Sequence, residues 1–308
     1  MKIVSKVLIT GVAGFIGSNL LDYLLEHTEW KIVGIDNFST GRKSNIETAL
    51  RNKRFVFIED SISQLKSLKE FDVVFHLAAL PRIQPSFELV NLHVQENLNN
   101  SIYLIELMIK DNYFPKFIFS SSSAIYGTPQ QIPTPENEKV DCLSPYAFQK
   151  YETEKYLELL STRYPLDYVC LRYFNPYGPR SFNPENKFNA YSSVVGIFLY
   201  KKAKGEALLV TGDGSQKRDF IHVYDLAKAN YLAAIHPNKL NTAFNIGNGS
   251  TMSVLNLAKC ISPMYEFIPK REGESDITFA DVAKAKRILN WEPSHNLEEY
   301  IKESFKNE

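Results

Sequence analysis

Short apolar runs alternate with stretches of helical periodicity along the first half of the chain. Lys6 to Ile9 forms one apolar run, a glycine turn follows, and from Gly14 to about His27 apolar residues recur at the spacing of one helix face. Lys31 to Ile35, Phe55 to Ile58, Val73 to Phe75, Phe117 to Phe119 and Tyr168 to Tyr173 predict further strands. Ser86 to Asn112 predicts one long helix, and Ser144-Pro145 opens another that runs to about Tyr164. Serine is a good N-cap, and proline suits the first helical turn. Strands separated by helices imply right-handed crossovers and a buried parallel sheet. The texture then changes. Asn175 to Asn189 is rich in Pro, Asn and Gly and predicts a loop, followed by helices near Ser193–Lys204, Val223–Ile235, Ser253–Ile261 and Val282–Leu289. The pattern predicts an α/β, doubly wound parallel sheet with a smaller C-terminal lobe. The main domain is expected at residues 1–174, with contributions from about 221–248, and the lobe mainly at 175–308.

Charge narrows the function classes. Lys plus Arg equals Asp plus Glu, 35 against 35, so no global field favours nucleic acid or an anionic membrane. An anionic ligand must be held by local arginines or backbone amides. Cys142, Cys170 and Cys260 show no C-x-x-C spacing, which fits a reducing compartment and offers no metal site. No apolar run approaches the roughly 20 residues that span a bilayer, and the N-terminus lacks a signal-peptide core. A cytoplasmic protein is expected.

Gly11-Val12-Ala13-Gly14-Phe15-Ile16-Gly17 follows the first strand and opens a helix. In that context the first glycine permits a tight turn, the second lets backbone approach a pyrophosphate, and the third lets helix and strand pack closely. The helix N-terminus then offers free N–H groups and a positive dipole end to phosphates. Asp36 ends the second strand, where a carboxylate accepts hydrogen bonds from ribose hydroxyls and repels a 2′-phosphate. NAD is therefore the expected cofactor, on a Rossmann sheet.

Tyr146 and Lys150 lie four residues apart near a helix start, on one face. An ammonium near a phenol favours the phenolate, so the tyrosine can act as a base near neutral pH. Upstream, Ser120-Ser121-Ser122-Ser123-Ala124-Ile125-Tyr126-Gly127 leaves the carboxyl end of a strand, the edge at which open α/β sheets bind ligands. A serine hydroxyl there can both donate to and accept from a reacting hydroxyl.

Together these segments resemble the extended short-chain dehydrogenase/reductase family, in its nucleotide-sugar epimerase branch. The resemblance covers nearly the whole chain. It rests on Thr10 to Gly17, His76-Leu77-Ala78-Ala79, Ser144 to Lys150, Arg172 to Arg180, Arg218 to Val223 and Phe244-Asn245-Ile246-Gly247. It implies that Phe15, Ile16, Asp36, Asn37, Asp60, Ser61, Leu77, Ala78, Ala79, Asn97 and Phe174 contact NAD beside Gly11, Gly14 and Gly17. It further implies Ser122 as the catalytic serine, Tyr146 as the base, and Lys150 as the residue that binds the nicotinamide ribose and tunes Tyr146. Asn175, Arg218, Arg271 and Glu274 would hold the nucleotide diphosphate, and Ser86 and Val194 would join the substrate site. Thr278, seven residues after Arg271, would line the far wall of the sugar pocket.

A departure sharpens the implied activity. Dehydratases similar in fold carry an acid beside the catalytic Ser/Thr, whereas Ser122 here is flanked by Ser121, Ser123 and Ala124. The resemblance thus implies 4-epimerisation of a UDP-hexose through a transient 4-keto sugar. The small Thr278 suggests that N-acetylhexosamines are accepted too. A UDP-uronate epimerase, another nucleotide-sugar dehydratase or reductase, and a non-enzymatic NAD-binding regulator stay open as alternatives. The family's pairing of two long helices implies a homodimer, with Ile102, Leu104, Ile105 and Met108 as candidate apolar contacts, of which some must face their own sheet.

Overall fold

The computed structural model describes residues 4–81, 83–184, 193–271 and 273–306. Seven parallel strands form the central sheet: β1 (Lys6–Thr10), β2 (Lys31–Asp36), β3 (Phe55–Glu59), β4 (Val73–His76), β5 (Lys116–Ser122), β6 (Tyr168–Tyr173) and a later strand, Thr242–Ile246. The order, starting from that later strand, is Thr242–Ile246, β6, β5, β4, β1, β2, β3. The direction of winding reverses between β1 and β4, which places a ligand crevice beyond their carboxyl ends.

Alternation along the strands sorts the core into two faces. Val7 and Ile9 of β1, Ile118 of β5, and Val169 and Leu171 of β6 pack under helix α1 (Phe15–His27). Leu8, Phe117, Phe119 and Cys170 pack on the other face. That face is covered by a segmented helical stretch: α2 (Ile83–Glu88), α3 (Val90–His93), a π turn (Val94–Asn99) and α4 (Asn100–Asp111), followed by α5 (Pro145–Ser161). The single helix predicted from Ser86 to Asn112 is thus broken. Asn91, Asn97, Asn99 and Asn100 crowd the region of the break. Asparagine competes for backbone hydrogen bonds and disfavours a helix interior. Of the four candidate contacts on this stretch, Leu104, Ile105 and Met108 are the ones that face their own sheet, and they are buried there rather than at an interface.

The rest of the chain follows β6 and contributes to both the main sheet and a second body. Its elements are β7 (Pro176–Tyr177), α6 (Val194–Ala203), β8 (Leu208–Thr211), β9 (Lys217–Arg218), β10 (Ile221–His222), α7 (Val223–Ile235), β11 (Thr242–Ile246, the seventh strand), β12 (Met252–Ser253), α8 (Val254–Ile261), β13 (Tyr265–Ile268), α9 (Ala283–Leu289) and α10 (Leu297–Ser304). Helix α7 and β11 return to the main sheet and its first core face. The other core, around Phe198, Leu208, Val210 and Leu257, belongs to α6, α8, α10 and the β8–β13 pair. Part of the loop predicted from Asn175 to Asn189 lies outside the described residues. Among the described residues, no helix is long and apolar enough to cross a membrane.

Candidate active site

One continuous cavity of about 680 Å³ runs from the glycine turn across the carboxyl ends of the strands into the second body. At one end, Gly11 has φ +70, and a Cβ there would stand 2.7 Å from the backbone N and Cα of Ala78. A Cβ on Gly17 would stand 2.1 Å from the Gly11 carbonyl oxygen. Backbone contact this close leaves room for glycine alone. Gly14 caps α1 without a side chain, and the first turn carries no acidic residue, so the positive end of the helix faces the cavity uncompensated. Asp36 is held at the end of β2 by the N–H groups of Ala13 (2.9 Å) and Phe38 (2.8 Å). Burial raises its pKa, and those N–H groups oppose the rise. A carboxylate has about four acceptor directions, so lone pairs remain for ribose hydroxyls. Asn37, Asp60, Ser61, Leu77, Ala78 and Ala79 complete this wall. A narrow glycine cradle, a bare helix terminus and a fixed carboxylate fit a dinucleotide.

The middle of the cavity carries the reactive groups. Ser144 accepts the Ala147 N–H at 3.2 Å and starts α5, which sets Tyr146 in the first turn and Lys150 one turn on. Both line the cavity with Ser122. The Lys150 ammonium donates to the Ser120 carbonyl at 2.8 Å, and burial pushes its pKa down to about 7. Ser122 accepts the Ala124 N–H at 3.2 Å, which leaves its hydroxyl hydrogen available. Behind it, Ser121 donates to Glu154, whose carboxylate is paired with buried Arg172 at 2.6 Å. That carboxylate lies off the cavity wall, so Ser122 gains no acidic neighbour from it.

At the far end, Arg218 and Arg271 flank Glu274, at 3.4 Å and 4.0 Å. Burial lowers the Arg218 pKa, opposed by Glu274. Two guanidiniums sharing one carboxylate keep a net positive charge where a diphosphate would bind. The carboxylate itself repels a diphosphate, so Glu274 is suited to orienting the arginines rather than holding phosphate. Asn175 donates through Nδ2 to the Asp219 carbonyl and to the Thr278 hydroxyl, each at 2.8 Å. Val194 lines the same end.

Three expected contact residues lie behind the wall. Asn97 is buried and clasps Leu80, accepting its N–H at 2.7 Å and donating to its carbonyl at 3.1 Å. Phe174 packs against the Tyr126 ring, with centroids 6.2 Å apart. Ser86 accepts the Tyr146 N–H at 3.1 Å and thereby steadies the start of α5. Conversely, Leu143, Tyr200, Lys201, Thr211 and Gln216 line the cavity although no motif marks them. They come from four separate segments, with Tyr200 and Lys201 both on α6, and only tertiary packing brings them together.

Residues 7–247 match the sequence profile of the NAD dependent epimerase/dehydratase family. A putative UDP-glucose 4-epimerase of Methanocaldococcus jannaschii is 35% identical over 303 residues, 96% of each chain. The UDP-N-acetylglucosamine 4-epimerase of Methanobrevibacter ruminantium, solved in complex with UDP-N-acetylmuramic acid, superposes with a TM-score of 0.89 at 34% identity over 99% of this chain and 98% of that one. The UDP-glucose 4-epimerase of Thermotoga maritima, solved with UDP-glucose, has a TM-score of 0.88 at 37% identity over 98% and 99%. With the glycine cradle and the Tyr146–Lys150 helix on one cavity, this chain belongs to the NAD-dependent epimerase/dehydratase family.

Proposed function

We propose that the protein is a UDP-hexose 4-epimerase that also accepts N-acetylhexosamines. The observation that carries this is one cavity with Ser122, Tyr146 and Lys150 at its centre and paired arginines at its far end. Bound NAD supplies the hydride acceptor and, in the second half of the cycle, the donor. Tyr146 takes the proton from the sugar 4-hydroxyl and returns it after the 4-keto sugar has turned over. Ser122 orients that hydroxyl with its free hydrogen. Lys150, while charged, favours the Tyr146 phenolate. Arg218 and Arg271 grip the diphosphate, so that the sugar alone moves and binding strength stays away from the part that must rotate. Residues 1–174 with α7 and β11 serve the cofactor, and the remainder serves the nucleotide sugar.

Support for N-acetylated substrates comes from Thr278, a small side chain on the wall, and from the UDP-N-acetylglucosamine 4-epimerase of similar structure. A homodimer is supported by exposed apolar side chains on the paired helices: Phe87, Val90 and Leu92 on one side, Phe148 and Leu159 on α5. Free Cys142, Cys170 and Cys260 accord with a cytoplasmic setting. Incubation with a panel of UDP-sugars, followed by separation of products, tests the reading. Interconversion of UDP-glucose with UDP-galactose, and of UDP-GlcNAc with UDP-GalNAc, is expected, with no net reduction of NAD. Loss of water, net redox change, or turnover of UDP-uronates alone would overturn it.

A further inference from the structure

The polar groups behind the loop after β4 form a closed circuit. Thr10 and His76 end β1 and β4 and are register partners. Thr10 Oγ1 accepts the N–H groups of Leu77 and Ala78, each at 3.2 Å, and lies 2.8 Å from His76 Nδ1. His76 Nε2 lies 2.8 Å from Ser101 Oγ, which donates to the Asn97 carbonyl at 2.6 Å. The Asn97 side chain then clasps the N–H and carbonyl of Leu80, and its Nδ2 also meets Gln149 Oε1 at 2.9 Å. Thr10, His76, Asn97 and Ser101 are all buried.

Counting protons gives the circuit a direction. Ser101 has one hydroxyl hydrogen, committed to Asn97, so His76 must donate through Nε2. His76 Nδ1 then accepts the Thr10 hydrogen, and the Thr10 oxygen is left as acceptor for two backbone N–H groups. Only the neutral Nε2–H tautomer satisfies every member. A second ring proton would face an oxygen already engaged and strand the Thr10 hydrogen. Burial, with the charge of Lys150 acting in the same direction, pushes His76 down to about 3.

We propose that Thr10, His76, Ser101 and Asn97 are positioning residues that fix the backbone of residues 77–80 and thereby set how tightly NAD is held. Leu77, Ala78, Ala79 and Leu80 all line the cavity, and the Ala78 backbone touches the glycine turn so closely that a Cβ on Gly11 would overlap it. A loop released at Thr10 or Asn97 therefore moves against the turn that cradles the cofactor. Arg218, Arg271 and Thr278 stand on other elements, so the circuit bears on the cofactor and not on the nucleotide sugar. Asn97 sits in the π turn, an irregularity often found at functional sites. This inference rests on the family's dependence on NAD and is independent of which sugar is turned over.

The test is NAD release in the absence of sugar, measured by dialysis and chromatography of the retained cofactor. Thr10→Val keeps the side-chain shape and removes the hydroxyl, and it should speed release on the order of tenfold or more. Ser101→Thr keeps a hydroxyl and should retain NAD like the wild type. The KM for the UDP-sugar should stay within about twofold, since the loss is confined to the cofactor side. If Thr10→Val fails to fold, Asn97→Asp serves instead, because a carboxylate still accepts from Leu80 N–H but cannot donate to the Leu80 carbonyl or to Gln149 Oε1. Wild-type release from a folded variant with a lowered melting temperature would reduce the circuit to a structural role and overturn the proposal. An equal rise in sugar KM would overturn it too. A protein that binds NAD in this way yet epimerises no sugar would refute the activity reading and leave this one standing.

Discussion

Thr278→Tyr should remove activity on N-acetylated sugars selectively. The Thr278 backbone is held on both sides, its N–H donating to the Lys217 carbonyl at 3.1 Å and its carbonyl accepting the Asp219 N–H at 2.9 Å. The main chain has little freedom to retreat, so added volume projects into the cavity that Thr278 lines. Overpacking costs about 1–3 kcal/mol, or about 5- to 150-fold in kcat/KM. A second loss is common to all substrates. The hydroxyl accepts from Asn175 Nδ2 at 2.8 Å and from the Asp219 N–H at 3.3 Å. Removing it loosens Asn175, which keeps the Asp219 carbonyl, at about 0.5–1.5 kcal/mol. Thr278→Val separates the two effects, since it deletes the hydroxyl at nearly constant volume. It should lower kcat/KM for plain and N-acetylated hexoses alike, by up to roughly tenfold, and leave their ratio unchanged. Thr278→Tyr should add the 5- to 150-fold loss on the N-acetylated pair only. The assay is kcat/KM in both directions for UDP-glucose/UDP-galactose and UDP-GlcNAc/UDP-GalNAc across the three proteins. Equal losses for both pairs in Thr278→Tyr, or no N-acetyl turnover in the wild type, would refute the gate.

Tyr146→Phe should fold and retain NAD but lose turnover by roughly a hundredfold or more, and near wild-type turnover would end its assignment as base. Cofactor released from protein purified without additions should assay as NAD, because Asp36 leaves no place for a 2′-phosphate; mainly NADP would contradict that role. Charge placed on the exposed helix face, as in Phe148→Glu with Leu159→Glu, should halve the mass found by light scattering at micromolar concentration, whereas a monomeric wild type would dismiss the dimer. Stability should fall as pH drops below about 6.5, because the unfolded chain takes up a proton on His76 there while the folded chain holds the ring neutral to about pH 3. The slope of urea midpoint against pH should be shallower in His76→Asn, a difference on the order of a few kcal/mol at the acid end, and parallel curves would contradict the buried neutral histidine.

Local chemistry makes much of this protein legible in its sequence. The first six sheet strands announce themselves as apolar runs, and the glycine turn, Asp36 and the Ser144-Pro145-Tyr146 helix start are contiguous or nearly so. Their roles depend on spacing along a few residues, which sequence states directly. What tertiary structure alone decided depends on adjacency across the chain. Strand β11, 69 residues beyond β6 from Tyr173 to Thr242, falls within the 221–248 segment expected to join the main domain, but its place at the sheet edge is set by register with β6. The asparagine-rich stretch from Asn91 to Asn100 reads as helix by period, but Asn97 turns to bind Leu80 and a π turn results. The family resemblance implies contact roles for Asn97, Phe174 and Ser86, but they lie behind the cavity wall and pack on Leu80, Tyr126 and Tyr146. Periodicity tells which face of an element is apolar. Only packing tells which polar groups meet there, because a hydrogen bond such as His76 to Ser101 is made by geometry that neither residue carries alone.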